Sequence, residues 1–529
     1  MTQFISPHTA HAWLFDGQEI ALLDVREAGQ FGEGHPFLAI ALPFSRLELE
    51  IRRLVPRTGT RIVLLDQGDA VAASAAQRLQ QLGYTQVHVL QGGAPGWAQA
   101  GYTLFQGVNL PSKTFGELVE HAFATPHISA QTLHAWQNRQ QALLLWDGRT
   151  PAEHRKMTIP GSRALPNGEL PLHWQTLAPD PQTPIVIHCA GRTRSIVGAQ
   201  MLRSLGIPNP VYALENGTQG WALQGLPLEH GSPRDVLPPP PPTVLQQQQA
   251  AQRLAQANAV PTLSTTEAQA WIDDTSRNFF LLDVRTAQEF AQGTLAGAQH
   301  APGGQLLQAT DQYVGVRGAR LIVLDHEGVR APVIAAWLRM LGHEAAILAH
   351  GIHTPLHTRA AAAASPVPTS APLTPPALQA WLQTTHSVVL DARSSTAFRQ
   401  AHPQGARWTI RPRLPQALHR VAPPHGVLFI ASQADSAALL LHDAQAAGIQ
   451  RCAWTLWEHW QQAGLPVVHQ DSTLSDADAI DYLFFVHDRH DGNLEAARQY
   501  LAWETGLIAQ CSPQELGIFR LPANTSTTA

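Results

Sequence analysis

One pattern recurs four times along this chain, and the recurrence limits its possible folds more than any other feature. The segment ALLDVREAGQF (21–31) returns as LLLWDGRTPAEH (143–154), FLLDVRTAQEF (280–290) and VVLDARSSTAF (388–398). Each is a short apolar run that closes on Asp-x-Arg, giving the pairs Asp24/Arg26, Asp147/Arg149, Asp283/Arg285 and Asp391/Arg393. Short apolar runs bounded by turn residues read as buried strands. Upstream of each lies an amphipathic stretch carrying Trp13, Trp136, Trp271 or Trp381, with Ser129 and Ser264 at plausible N-cap positions. Downstream come a glycine-containing turn and a second apolar strand, at 61–66, 184–189, 320–325 and 426–431. A helix then ends at Gly83, Gly206, Gly342 or Gly448, and a final strand with a Gly/Trp-rich segment closes the repeat. Strands alternating with helices over about 100 residues predict an α/β unit with a mostly parallel sheet.

At 529 residues the chain exceeds one hydrophobic core. The repeats predict four tandem units, at 1–110, 126–232, 261–357 and 373–469. Between the second and third lies a Pro run followed by a Gln/Ala-rich stretch (233–260), which predicts a semi-rigid spacer and a short helix. A second Ala/Pro linker covers 358–376, and a tail runs from 470 to 529. The tail's AIDYLFFVHDRH reads as a strand or helix and LEAARQYLAWETGLIA as a helix; their apolar content predicts docking. A net charge of -5 gives no reason to expect nucleic acid or an anionic membrane as partner. With no long apolar run and no export signal at the N-terminus, the expected address is the cytoplasm. Three cysteines cannot build a disulfide framework, which leaves Cys189 a free thiol.

Cys189 is the residue that carries chemistry. Counting back equally from the four helix-terminal glycines lands on Asp66, Cys189, Asp325 and Ala431, so one repeat alone has a thiol at this place. The stretch PIVIHCAGRTRS (184–195) reads as a buried strand that delivers the thiol onto a polar loop opening a helix. Helix N-terminal N–H groups, with Arg192 and Arg194 nearby, would stabilise a thiolate, which favours a nucleophile over an inert buried cysteine. The Asp-x-Arg pair recurs in the repeats without a thiol, so Asp147 and Arg149 read as structural. Glu153 is a candidate neighbour of the loop, His188 a hydrogen-bonded core histidine, and Cys452 and Cys511 passive cysteines. No histidine spacing points to a metal, and no cofactor is expected.

In order and kind these motifs resemble the rhodanese (sulfurtransferase) superfamily, over about nine tenths of the chain. The resemblance implies small parallel sheets flanked by helices, and a cysteine that accepts a sulfane sulfur and passes it on as a persulfide. It makes Cys189 catalytic and the loop Ala190, Gly191, Arg192, Thr193, Arg194 and Ser195 substrate-binding. Units one, three and four, holding Asp66, Asp325 and Ala431, would be inactive. Related cysteine phosphatases carry an Arg six positions after the cysteine; here Ser195 stands there and Arg194 stands five after, as in the shorter sulfurtransferase loop. The implied donor is thiosulfate, another small persulfide or a protein persulfide, and the acceptor a thiol or cyanide. Alternatives are a sulfur relay or scaffold whose inactive units dock a partner and, less favoured, a cysteine phosphatase.

Overall fold

The computed structural model describes residues 3–358, 369–419, 426–471 and 473–522. Most of the second predicted linker and the end of the tail lie outside them.

The apolar runs become central strands because helices cover both faces of each sheet, where a fully apolar strand is stable. In the second repeat the edge strand His127–Ile128 pairs with Val211–Leu214, followed across the sheet by Ile185–His188, Leu144–Asp147 and Arg163–Ala164. Every pairing is parallel. The first and third repeats have the same five-strand order. In the fourth, Arg407–Trp408, Ser387–Asp391, Gly426–Ile430 and Cys452–Thr455 form a four-stranded parallel sheet. Beside it, Ala401–Pro403 pairs antiparallel with Val467–His469. The architecture is α/β, four tandem repeats each built on a small parallel sheet.

The four Asp-x-Arg pairs do one structural job. Each Asp is buried at the end of its strand and each Arg closes an ion pair on it, at 2.6, 2.7, 2.6 and 2.6 Å in chain order. The same guanidinium donates to a backbone carbonyl eight residues further on, that of Gly34, Met157, Gly293 or Ala401. Strand end, following helix and turn are thus tied by one planar donor, the geometry for which arginine is suited and lysine is not.

The first three repeats share a hydrophobic core. One buried cluster runs from Leu23 and Leu64 through Ile187 and Met201 to Leu282 and Trp337. Two connecting helices belong to it. Leu110–Phe123 contributes Phe115 and Val119, and Leu245–Ala257 contributes Ala250, Ala251 and Leu254. The Gln/Ala half of the predicted spacer is therefore a packed helix and spaces nothing; its alanine face lets it lie close against the third repeat. The fourth repeat has its own core around Leu390, Phe429 and Trp454. It is joined to the first by buried Arg411, which pairs with Glu48 and with Asp443.

The tail crosses all four repeats. Arg399 of the fourth pairs with Asp476, the Gly29 N–H of the first donates to the Ile480 carbonyl, Lys156 of the second pairs with Asp491, and Arg520 N–H reaches the Met340 carbonyl of the third. Residues 479–490 form turns and irregular backbone, neither strand nor helix. The helix expected from LEAARQYLAWETGLIA is Leu494–Thr505. Among the described residues no helix is long and apolar enough to cross a membrane.

Candidate active site

Strand Ile185–His188 is buried throughout and carries the chain to Cys189, which is 3% exposed. Helix Thr193–Ser204 begins four residues later. Ser195 Oγ, in its first turn, donates to Cys189 Sγ at 3.2 Å. The loop is held from below by the closing segment of the repeat. The Thr218 and Gln219 N–H groups donate to the carbonyls of Cys189 and Ala190 at 2.8 and 3.0 Å. Gly217, at φ +51, brings that segment so close that a Cβ would run into the Cys189 carbonyl oxygen.

The thiol-less repeats reveal what the loop is shaped to hold. Asp66, at the place of Cys189, accepts the N–H groups of Gly68 and Ala72 at 2.8 and 3.0 Å. Asp325 accepts those of Gly328, Val329 and Ala331 at 3.0, 2.9 and 2.9 Å. Backbone amides converging at a helix start favour negative charge. In two repeats an aspartate side chain fills the cradle, and in the third repeat burial and the neighbouring Glu327 push the Asp325 carboxyl up to about 7. In the second repeat a sulfur atom stands at this place, and Ser195, at the position of Ala72 and Ala331, reaches it through its hydroxyl.

The two loop arginines part company. Arg194 borders the pocket over Cys189 and is paired with Glu153 through two hydrogen bonds, at 2.9 and 2.7 Å. Burial works to raise the Glu153 carboxyl, but Arg194 and Thr150 outweigh it and bring it down to about 2. Arg192, expected with Arg194 to add positive charge near the thiol, is not among the residues that border the pocket. It pairs with Glu117 at 2.8 Å and with Glu120, both on the connecting helix Leu110–Phe123. Of the other loop residues, Ala190 and Gly191 line the pocket, while Thr193 lies behind the loop with its hydroxyl on Glu504. His188 donates to or accepts from Ser162 Oγ at 2.7 Å inside the core, and burial pushes it down to about 4. It belongs to the framework and does not face the pocket.

The pocket is roofed from outside the repeat and encloses about 170 Å³. Lys113 comes from the connecting helix, and Phe485, Arg489, His490, Tyr500 and Trp503 from the tail. Lys113 Nζ donates to the Tyr500 hydroxyl at 2.5 Å and to Glu504 at 3.1 Å. Burial opposes its charge, yet Glu504 and Tyr500 hold it above the ordinary lysine range. Glu504 also accepts the N–H groups of Arg192 and Thr193, at 3.3 and 3.4 Å. A side chain at Gly191 would collide with Glu504 and Tyr500, so its absence lets the tail helix come down on the loop. None of these roof residues was legible as a site residue in the sequence; the only signal was the tail's apolar content. Among the described residues no group of three or more His, Cys, Asp or Glu is placed to hold a metal ion.

Comparison with known proteins agrees with this geometry. The rhodanese-like domain model matches residues 6–100, 129–224 and 264–354. The chain belongs to the rhodanese-like domain family. Over its whole length it is similar to a thiosulfate sulfurtransferase from Pseudomonas aeruginosa, at 38% identity and a TM-score of 0.89, covering 99% of this chain and 100% of that one. Single-repeat likenesses include the Alr3790 protein from Anabaena sp., at 24% identity over 19% of this chain and 82% of that one, with a TM-score of 0.19. Another is a full-length protein from Lactobacillus plantarum, at 28% identity over 20% of this chain and 87% of that one, with a TM-score of 0.18. No match was found among curated proteins.

Proposed function

We propose that this chain is a sulfurtransferase that moves a sulfane sulfur through a persulfide on Cys189. The observation that carries the reading is the Ser195 hydroxyl donated to Cys189 Sγ, at the place where Asp66 of the first repeat accepts two backbone amides. The Cys189 thiolate attacks the outer sulfur of the donor, the donor's S–S bond breaks, and its electron pair leaves with the displaced group, sulfite when the donor is thiosulfate. The terminal sulfur of the persulfide is then attacked by a thiolate or cyanide, and Cys189 departs as thiolate. The Ser195 hydroxyl stabilises the sulfur anion at both stages. The likeness to the Pseudomonas aeruginosa enzyme supports thiosulfate as a donor, and a pocket of about 170 Å³ suits a donor of that size.

Repeats one, three and four are read as catalytically inactive. A carboxylate at Asp66 or Asp325 or a methyl group at Ala431 forms no persulfide, and the two carboxylates already satisfy their loop amides. The test is mass spectrometry of the full chain after exposure to thiosulfate. One sulfur is gained on the Cys189 peptide and none in Cys189→Ser. Absence of loading by thiosulfate, 3-mercaptopyruvate and glutathione persulfide alike overturns the reading.

A further inference from the structure

The charge of the sulfur pocket is set from outside the repeat that owns the thiol. Its ionic groups fall into pairs with one left over. Glu153 balances Arg194. Glu504 balances Lys113. Arg489 has no carboxylate partner among the described residues. Its Nη1 donates to the Val486 carbonyl at 3.3 Å and its guanidinium lies 4.4 Å over the Tyr500 ring, while its Nε is buried with no hydrogen-bond partner. The adjacent His490 adds no charge near neutral pH, since burial and Arg489 push it down to about 3. Gln219 and Gln308, on the same pocket wall, each hold a buried side-chain oxygen without a partner. The pocket therefore carries one positive charge beyond its ion pairs, and that charge belongs to the C-terminal segment.

An anion that must reach a thiolate meets like charge, and a neighbouring cation in a poorly solvated pocket offsets it. Stacking on Tyr500 fixes Arg489 without neutralising it. We propose that Arg489 binds the anionic end of the sulfur donor, so that the C-terminal segment sets the charge selectivity of Cys189. That it is a donor which binds rests on the sulfurtransferase reading; the selectivity for anions does not.

The test alkylates Cys189 in the full chain with iodoacetate and with iodoacetamide, each rate read on the Cys189 peptide by mass spectrometry. The two reagents are close in size and attack the same thiolate, so the ratio of their rates reports local charge alone. Arg489→Gln lowers the iodoacetate-to-iodoacetamide ratio by roughly three- to tenfold, Arg489→Met does the same, and Arg489→Lys retains most of the wild-type ratio. The KM for thiosulfate rises in the two neutral variants and stays low in Arg489→Lys. A ratio unchanged in both neutral variants overturns the proposal, including the case in which both reagents react faster because the roof has loosened. If the ratio falls as expected but Cys189 never loads sulfur in the wild type, the anion site stands and the sulfurtransferase reading fails.

Discussion

Glu504, near the end of the tail helix, accepts the Thr193 hydroxyl at 2.6 Å across 311 residues of sequence. The bond locks the C-terminal segment onto the loop that carries Cys189. Glu504 is fully buried, and its carboxylate is satisfied by Thr193 on one side and the Lys113 ammonium on the other.

Removing that charge leaves the partly buried Lys113 unbalanced. Glu504→Gln is expected to destabilise the chain by about 2–4 kcal/mol, near the lower end for a broken buried ion pair because Lys113 keeps some solvent contact. The effect depends on pH. Burial works to raise the Glu504 carboxyl, but Lys113 and Thr193 hold it below its ordinary value. Its contribution is therefore complete above the unfolded value of about 4.3 and is lost as pH falls through the folded value. Denaturation midpoints of wild type and variant, measured from pH 7 to pH 3, should converge at the acid end; a constant gap would contradict this account.

Gly217 and Gly351 occupy the same place in the second and third repeats, at φ +51 and +48, beneath the carbonyls of Cys189 and Asp325. Alanine at either site costs about 1 kcal/mol for the left-handed backbone, with more from the displaced carbonyl. Gly217→Ala moves the thiol loop, and the rate of sulfur loading on Cys189 should fall by about tenfold or more. Gly351→Ala should lower thermal stability and leave loading intact. Equal loss of loading in both variants would mean that the repeats are not independent in chemistry.

Asp325 accepts three backbone amides, those of Gly328, Val329 and Ala331. Asp325→Ala should cost about 2–4 kcal/mol by leaving buried donors unpaired, with Asp325→Asn in between. Equilibrium denaturation measures the loss and persulfide mass spectrometry on Cys189 should show none. A drop in loading would assign the third repeat a part in the chemistry.

Much of the fold was legible because it rests on local signals. The apolar runs ending in Asp-x-Arg, the capping serines and the helix-terminal glycines each act within a few residues, and their recurrence aligned the Cys189 place with Asp66, Asp325 and Ala431 across the chain. The loop arginines were only half legible. The sequence places Arg192 and Arg194 beside the thiol, but their side-chain directions depend on which carboxylate lies within reach. Glu153 draws Arg194 to the pocket, and Glu117 and Glu120 draw Arg192 away.

From sequence alone came the repeat, the parallel α/β units and the single thiol, since hydrophobic period and short-range hydrogen bonding are written into adjacent residues. Tertiary structure alone decided that three repeats share one core, that the tail crosses all four, and that Lys113, Arg489, Tyr500 and Glu504 meet over Cys189. Those contacts join segments hundreds of residues apart. No local pattern encodes them, because they depend on how already formed surfaces fit and on where buried charges find their partners.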